Sequence, residues 1–436
     1  MSRLRPIIPQ RLSAEVGDWR RRLATLLGAV SIGLVALVFA KASDLAIHTF
    51  EALTARWMWM PAILTPAIFV LCAWLTRQVA SEATGSGIPQ IIAAVRQEKP
   101  NEKLFSLHVG FTKISLTVLA LLGGASVGRE GPTVQVGAAI MVAFHRWSKA
   151  AVRRGVLIAG GAAGVSAAFN TPLAGIAFAI EELAIAYEQK LAALVMGAVI
   201  IGGITAQGLA GNYTYFGTLD TSLPLGTVLI AAPIAGLVGG ALGGLFSQAL
   251  LRSREAVRGS KLLGSHPILL ALACGFVVAG VGLASGGLTW GTGYEPAKAA
   301  LHGEAIGGWL GPAKFVATLA TSLSGIPGGI FAPSLAVGAG FGQWLTWLFP
   351  DAQVGAMVML GMVAYFTGVV RAPLTAVIIL TEATNDIGLM LPLFVTALIA
   401  DWAGAMVSRE RLYHALAQDF MPEAKDEPEP DRRPAT

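Results

Sequence analysis

Residues Lys113–Ile140 read KISLTVLALLGGASVGREGPTVQVGAAI, and residues Lys314–Phe341 read KFVATLATSLSGIPGGIFAPSLAVGAGF. The second stretch answers the first at a constant offset of 201: Lys113 pairs with Lys314, Thr117 with Thr318, Gly124 with Gly325, Gly128 with Gly329 and Pro132 with Pro333. The correspondence runs without a gap to Glu181, through Gly160 with Gly361, Pro172 with Pro373 and Leu173 with Leu374, and ends on Glu382. A repeated apolar unit of this length reads as the two halves of a membrane transporter, whose shared site lies between the repeats and is built from the ends of broken helices. The glycines and prolines common to both copies are the expected breaks.

Composition agrees. The chain has 436 residues, 54% of them hydrophobic and 13% charged, where soluble domains carry about 25% charged residues. Its 52 glycines fit membrane helices, in which glycine is more frequent than in soluble ones. The net charge of +5 comes from basic residues in short polar connections, and no basic stripe interleaved with aromatics points to nucleic acid. Cys72 and Cys274 lie in apolar runs and offer neither metal spacing nor a disulfide framework. The six histidines are scattered, so no cofactor or metal is expected.

Crossing about 30 Å of hydrocarbon takes roughly 20 apolar residues. Pro267–Leu288 and Leu389–Val407 meet this, while Leu116–Leu122 stops at a glycine pair and Thr133–Phe144 starts just after Gly-Pro. Many helices are therefore expected to be short, tilted or begun inside the membrane, where irregular backbone is tolerated only if buried in protein or lining a wet cavity. The expected organisation is a basic cytoplasmic segment over 1–22, a first transmembrane repeat over 23–206, an extracytoplasmic linker over 207–224 without Lys or Arg, a second repeat over 225–418, and a disordered cytoplasmic tail over 419–436. Arg252–Lys261 is basic, hence cytoplasmic. A start inside and a linker outside give each half an odd number of crossings, so the repeats have opposite orientation.

Three segments share one design: Gly85-Ser86-Gly87-Ile88-Pro89, Gly128-Arg129-Glu130-Gly131-Pro132 and Gly329-Ile330-Phe331-Ala332-Pro333. Each places glycines before a proline and an apolar run. Proline suits the first turn of a helix, and glycine lets backbone approach a ligand. Free amides and the positive end of the dipole make such a start an anion site without a full charge. Glycine-rich segments also serve as close helix contacts in membranes. Glu130 is the sharpest residue: its carboxylate, when ionised, is drawn to the same amides as an anion and competes with it, and when protonated it lets go. A salt bridge to Arg129 is the competing role. Ser86 also suits a helix N-cap, Tyr413 an interfacial anchor, and Glu181-Glu182 a helix end at the water boundary.

In this order and spacing the three segments resemble the signature motifs of the CLC family of chloride channels and chloride/proton exchangers. The resemblance runs from about Arg20 to Leu416 and includes Ala168-Phe169-Asn170-Thr171-Pro172-Leu173-Ala174-Gly175, Glu181-Glu182 and Leu412-Tyr413. It implies an all-α integral membrane fold of two inverted-topology repeats of tilted and broken helices, homodimeric, in the inner membrane with both termini cytoplasmic and without C-terminal regulatory domains. It implies chloride and protons as substrates, Glu130 as gating glutamate and Glu182 as internal proton glutamate. The chloride site it implies draws on Ser86, Gly87, Ile88, Gly128, Arg129, Glu130, Gly131, Ile330, Phe331, Ala332 and Tyr413. Ser86 and Tyr413 would close its inner side, and Ile330 and Phe331 would narrow its outer path.

One position departs from the pattern: relatives often carry another acid just after the first motif, and this chain has Gln90 and Ile92 there. A passive chloride channel of the same fold is the alternative, with Glu182 as the separating feature. A membrane-embedded enzyme using Glu130 and Glu182 as acid and base lacks an accompanying metal cluster, nucleophile elbow or cofactor loop. Lys113 and Lys314, at matched intramembrane positions, are expected either to add positive potential or to be salt-bridged.

Overall fold

The structure is a computed structural model that describes residues 10–97, 101–184, 189–211 and 214–421. The expected segment 1–22 lies partly, and the expected tail 419–436 largely, outside these residues. The described chain is helical, and six of its helices are long and apolar enough to cross a membrane. The first, Gln10–Arg56, has 47 residues, roughly 70 Å of helix. The boundary expected at residue 22 falls inside it, so the basic segment and the first apolar run form one rod. Leu225–Gly259, which opens the second half, is a 35-residue helix that carries Arg252–Arg258 on its last turns.

At the centre lie two helices apolar on all sides, Arg154–Phe169 and Val354–Val370, almost every residue of which is buried. A helix without a polar face belongs inside a bundle. Each packs on the helix that follows a repeated motif, Glu130–Trp147 and Phe331–Leu348 respectively. The repeat explains the closeness: a Cβ on Gly137 would sit 2.3 Å from the Gly160 carbonyl oxygen, and one on the equivalent Gly338 would sit 2.7 Å from that of Gly361. Small residues that let backbones touch are how membrane helices gain packing energy in the absence of a hydrophobic drive.

The two halves meet as a two-fold axis requires. The Gly128 amide donates to the Gly329 carbonyl and the Gly329 amide donates to the Gly128 carbonyl, both at 2.8 Å, an isolated antiparallel bridge between repeat equivalents. Equivalent residues pair reciprocally in this way when a two-fold axis passes between them. The same axis relates two helix starts. Glu382 accepts from the amides of Leu173 and Ala174 at 3.1 and 2.8 Å, and Glu181 accepts from those of Leu374 and Thr375 at 2.9 and 2.7 Å.

The repeat also reaches further toward the N-terminus than the ungapped alignment. Gly85 and Gly87 have φ of +62° and +103°, and Gly291 and Gly293 have +64° and +80°. The offset here is 291 − 85 = 293 − 87 = 206, so five residues separate this register from the downstream one. Behind each loop lies a buried lysine: Lys113 Nζ donates to the carbonyls of Ala83 and Thr84 at 2.8 and 3.2 Å, and Lys314 Nζ to those of Thr289 and Gly291 at 2.8 and 2.7 Å. Both ammonium groups thus hold a broken-helix loop by its backbone, the role a salt bridge was expected to fill.

Candidate anion site between the repeats

The three motifs begin three helices, Ile88–Arg96, Glu130–Trp147 and Phe331–Leu348. Pro89 is the second residue of the first, and Pro132 and Pro333 are the third residues of the others. There the missing N–H leaves no internal bond unmade. The starts converge. A Cβ on Gly131 would lie 2.4 Å from Ser86 Oγ and 3.2 Å from the Gly329 Cα, which brings all three motifs to one point. Ile88, Phe331 and Glu130 are wholly buried there, and Ile330 and Ala332 nearly so.

Glu130 lies across two of these starts. The Tyr215 hydroxyl donates to Oε1 at 3.4 Å, and Oε2 has no hydrogen-bond partner among the described residues. Gly128 has its amide engaged by the Gly329 carbonyl, so it serves the site through its lack of a side chain: a Cβ there would stand 2.2 Å from Glu130 Oε2. Arg129 reaches away, donating to Asp44 Oδ1 at 2.8 Å and to the Ala40 carbonyl at 2.9 Å. It lines a cleft of about 390 Å³ with Lys41, Asp44, Tyr215, Trp290 and Thr292. Arg129 and Tyr215, both in its wall, are the neighbours of Glu130.

The Ser86 and Tyr413 hydroxyls are both buried without a hydrogen-bond partner among the described residues. Ser86 does not cap its helix: the N-cap is Gly87, in the left-handed region, and no side chain caps that end. Nor is Tyr413 an interfacial anchor, since it is 1% exposed. Its ring lies 5.9 Å from that of Phe331, whose other neighbours are Phe169, Phe178 and Phe366. The result is an apolar cluster of rings that buries two hydroxyls, groups of the kind that interact with an anion through weak dipoles rather than fixed charge.

Glu182 is carried by a different element. It lies in a π-helical turn, Ala179–Leu183, that ends the helix Pro172–Phe178, the kind of irregularity that recurs at functional sites. Neighbouring residues on a helix point about 100° apart, and Glu181 and Glu182 part accordingly: Glu181 turns to the other repeat, and Glu182 turns to the opposite side. Its side chain has no exposed surface, and His414 Nε2 lies 3.6 Å from Oε1. Gln90 contributes no acid here, since its amide donates to the carbonyls of Glu82 and Thr84.

Sequence reasoning missed Tyr215. The expected linker holds Tyr-Thr-Tyr-Phe at 213–216 amid small and polar residues, an aromatic run that a solvated connector has no use for. Its Phe216 amide donates to the Ala383 carbonyl at 2.8 Å and its Leu219 amide to the Thr384 carbonyl at 2.9 Å. These bonds fold the linker over the site and bury Tyr215.

Fold and site define an integral membrane protein of two inverted repeats whose broken helices meet at a dipolar cradle. The chain belongs to the voltage gated chloride channel family, whose pattern matches residues 68–405. It is 33% identical over 441 residues to the H(+)/Cl(-) exchange transporter ClcA of Cronobacter sakazakii, spanning 94% of this chain and 92% of that protein. It is 33% identical over 431 residues to the ClcA of Yersinia pestis, spanning 90% and 86%. The crystal structure of a slow cyanobacterial Cl-/H+ antiporter superposes with a TM-score of 0.81 at 25% identity over 92% of this chain and 97% of that one. A CLC-type fluoride/proton antiporter has the same fold, with a TM-score of 0.78 at 21% identity over 94% and 98%.

Proposed function

We propose that this protein is a chloride/proton antiporter with Glu130 as its gate and Glu182 as its internal proton carrier. The observation that carries the reading is the place of the Glu130 carboxylate where two helix starts meet: a Cβ on Gly128 would stand 2.2 Å from Oε2 and 3.3 Å from the Ala332 amide nitrogen. An anion drawn to those helix starts meets a carboxylate already there. The two exclude each other, and protonation of Glu130 decides between them: the neutral acid gives up its attraction to the dipoles and chloride takes its place. Exchange follows from that exclusion, because a proton is bound when the seat passes to chloride and is released when the carboxylate returns. Relatives named as H(+)/Cl(-) exchange transporters support the same direction.

Ser86, Tyr413 and the amides at Gly87, Ile88, Gly131, Ile330, Phe331 and Ala332 serve chloride. Hydroxyl and amide donors bind it without a fixed positive charge, so it can leave. Glu182, buried beside His414, carries protons between Glu130 and the face that bears Arg252–Arg258, which we take as cytoplasmic from its basic residues. An intramembrane acid is costly and is retained for such a role. The resemblance further supports a homodimer in the inner membrane, each subunit with its own pathway and both termini cytoplasmic.

The test is simultaneous measurement of chloride and proton flux from proteoliposomes. An imposed chloride gradient should drive protons uphill. Chloride flux with no proton movement at any gradient would place the protein among passive channels of this fold.

A further inference from the structure

We infer that His414 is the proton relay between the cytoplasmic face and Glu182, in a chain that has Gln90 and Ile92 where relatives often carry another acid. The inference rests on the reading of Glu182 as the internal proton glutamate.

Four observations lead to it. Glu182 has no exposed side-chain surface, so it cannot take a proton from bulk water directly. His414 Nε2, 3.6 Å from Glu182 Oε1, belongs to a side chain that is 24% exposed, so one ring bridges the buried carboxylate and the solvent. Neither carboxylate oxygen of Glu182 has a hydrogen-bond partner among the described residues, and neither has His414 Nε2. Two unsatisfied polar groups facing each other in a buried place mark a contact that tightens when a proton passes. Finally, an Arg96 N–H meets His414 Nδ1. A guanidinium only donates, so Nδ1 accepts and the ring proton sits on Nε2, aimed at Glu182.

The charged groups around the ring are Arg96, on the helix Ile88–Arg96 that packs against it, Arg411 at the head of its own helix, and Glu182. Glu181 and the same two arginines act on Glu182. Burial and the two guanidiniums push the imidazole down to about 4, so the ring passes a proton through rather than storing one. When the exposed Arg96 side chain moves off Nδ1, that nitrogen takes a proton from hydronium at the cytoplasmic face, which leaves as water; as it does so the Nε2–H bond breaks and an O–H bond forms on Glu182. The ring is left neutral with its proton on Nδ1, and a turn of the ring restores the starting tautomer. One proton moves, and nothing is oxidised or reduced.

The experiment compares His414→Gln, His414→Ala and Glu182→Gln in proteoliposomes, with chloride and proton fluxes recorded together at pH 7.5. His414→Gln keeps the shape and a donor but relays nothing. Its proton flux should fall about 100-fold, the low end of what a positioned proton-transfer group contributes, and fall more than its chloride flux. Free imidazole should restore proton flux to His414→Ala, where the deletion leaves room for it, and not to Glu182→Gln. Proton coupling intact in both His414 variants but lost in Glu182→Gln overturns the relay and leaves Glu182 in its role. Loss in the His414 variants without rescue by imidazole assigns the ring to packing and equally overturns the relay. Coupling intact in Glu182→Gln removes the reading of Glu182 itself.

Discussion

Glu181 and Glu382 each cap the first turn of the helix that carries the other. Each is repeat equivalent to its partner, each accepts two backbone amides, and each does so across the axis that relates the halves. The acid next to Glu182 is therefore part of the scaffold that fixes where Glu182 points. Charge-assisted bonds to helix starts contribute about 1.5–3 kcal/mol apiece. Replacing Glu181 or Glu382 by Ala should lower thermal stability in detergent by a few degrees. Because both caps close one interface, the double variant should lose a different amount from the sum of the singles. Unaltered melting of both single variants would show the caps to be idle.

Glu130→Gln keeps the shape of the gate and removes its charge. The seat then belongs to chloride at every pH, so chloride flux should persist, lose its pH dependence and carry no protons. Uphill proton pumping on a chloride gradient by this variant would take the gate away from Glu130.

Tyr215→Phe deletes the hydroxyl that holds the Glu130 carboxylate at 3.4 Å. A hydrogen bond to a charged group is worth about 1.5–3 kcal/mol at most, and its length places this one at the weak end. The competitor is weakened while the chloride ligands stay, so chloride should bind about two- to tenfold more tightly at neutral pH. Calorimetric titration with chloride reads this directly, and equal affinities would mean that the hydroxyl does not seat the carboxylate.

Ser86→Ala and Tyr413→Phe act on the other side of the seat. Each removes one neutral donor, worth about 1 kcal/mol, so chloride affinity should fall about fivefold in each. Anomalous density from bromide should weaken in step, and full density in the double variant would move the anion elsewhere.

Much of this was legible in the chain before folding. The repeat and the three proline-led helix starts leave a residue-by-residue trace, because a broken helix needs glycine and proline at set places whatever surrounds it. Glu130 stood out for the same reason: an acid inside an apolar motif has few innocuous explanations. Tyr215 was hidden because its segment is irregular, and only tertiary hydrogen bonds to Ala383 and Thr384 bring it back over the site. The loop at Gly291–Gly293 was hidden by a five-residue change of register. His414 was hidden because its meaning comes from Arg96 and Glu182, which are 318 and 232 residues away in the chain. For Arg129, adjacency in sequence allowed a pair with Glu130 as the competing role, and the structure has its guanidinium donating to Asp44.

The bridge between Gly128 and Gly329 has a historical consequence. Neither half of the chain makes a complete seat, since each supplies one strand of the bridge and its own share of the amides. On the proposed reading, a single copy of the unit would hold no ion until it met a second copy of itself, upside down in the same bilayer. Split today between residues 211 and 225, the two fragments should transport only when produced in the same membrane.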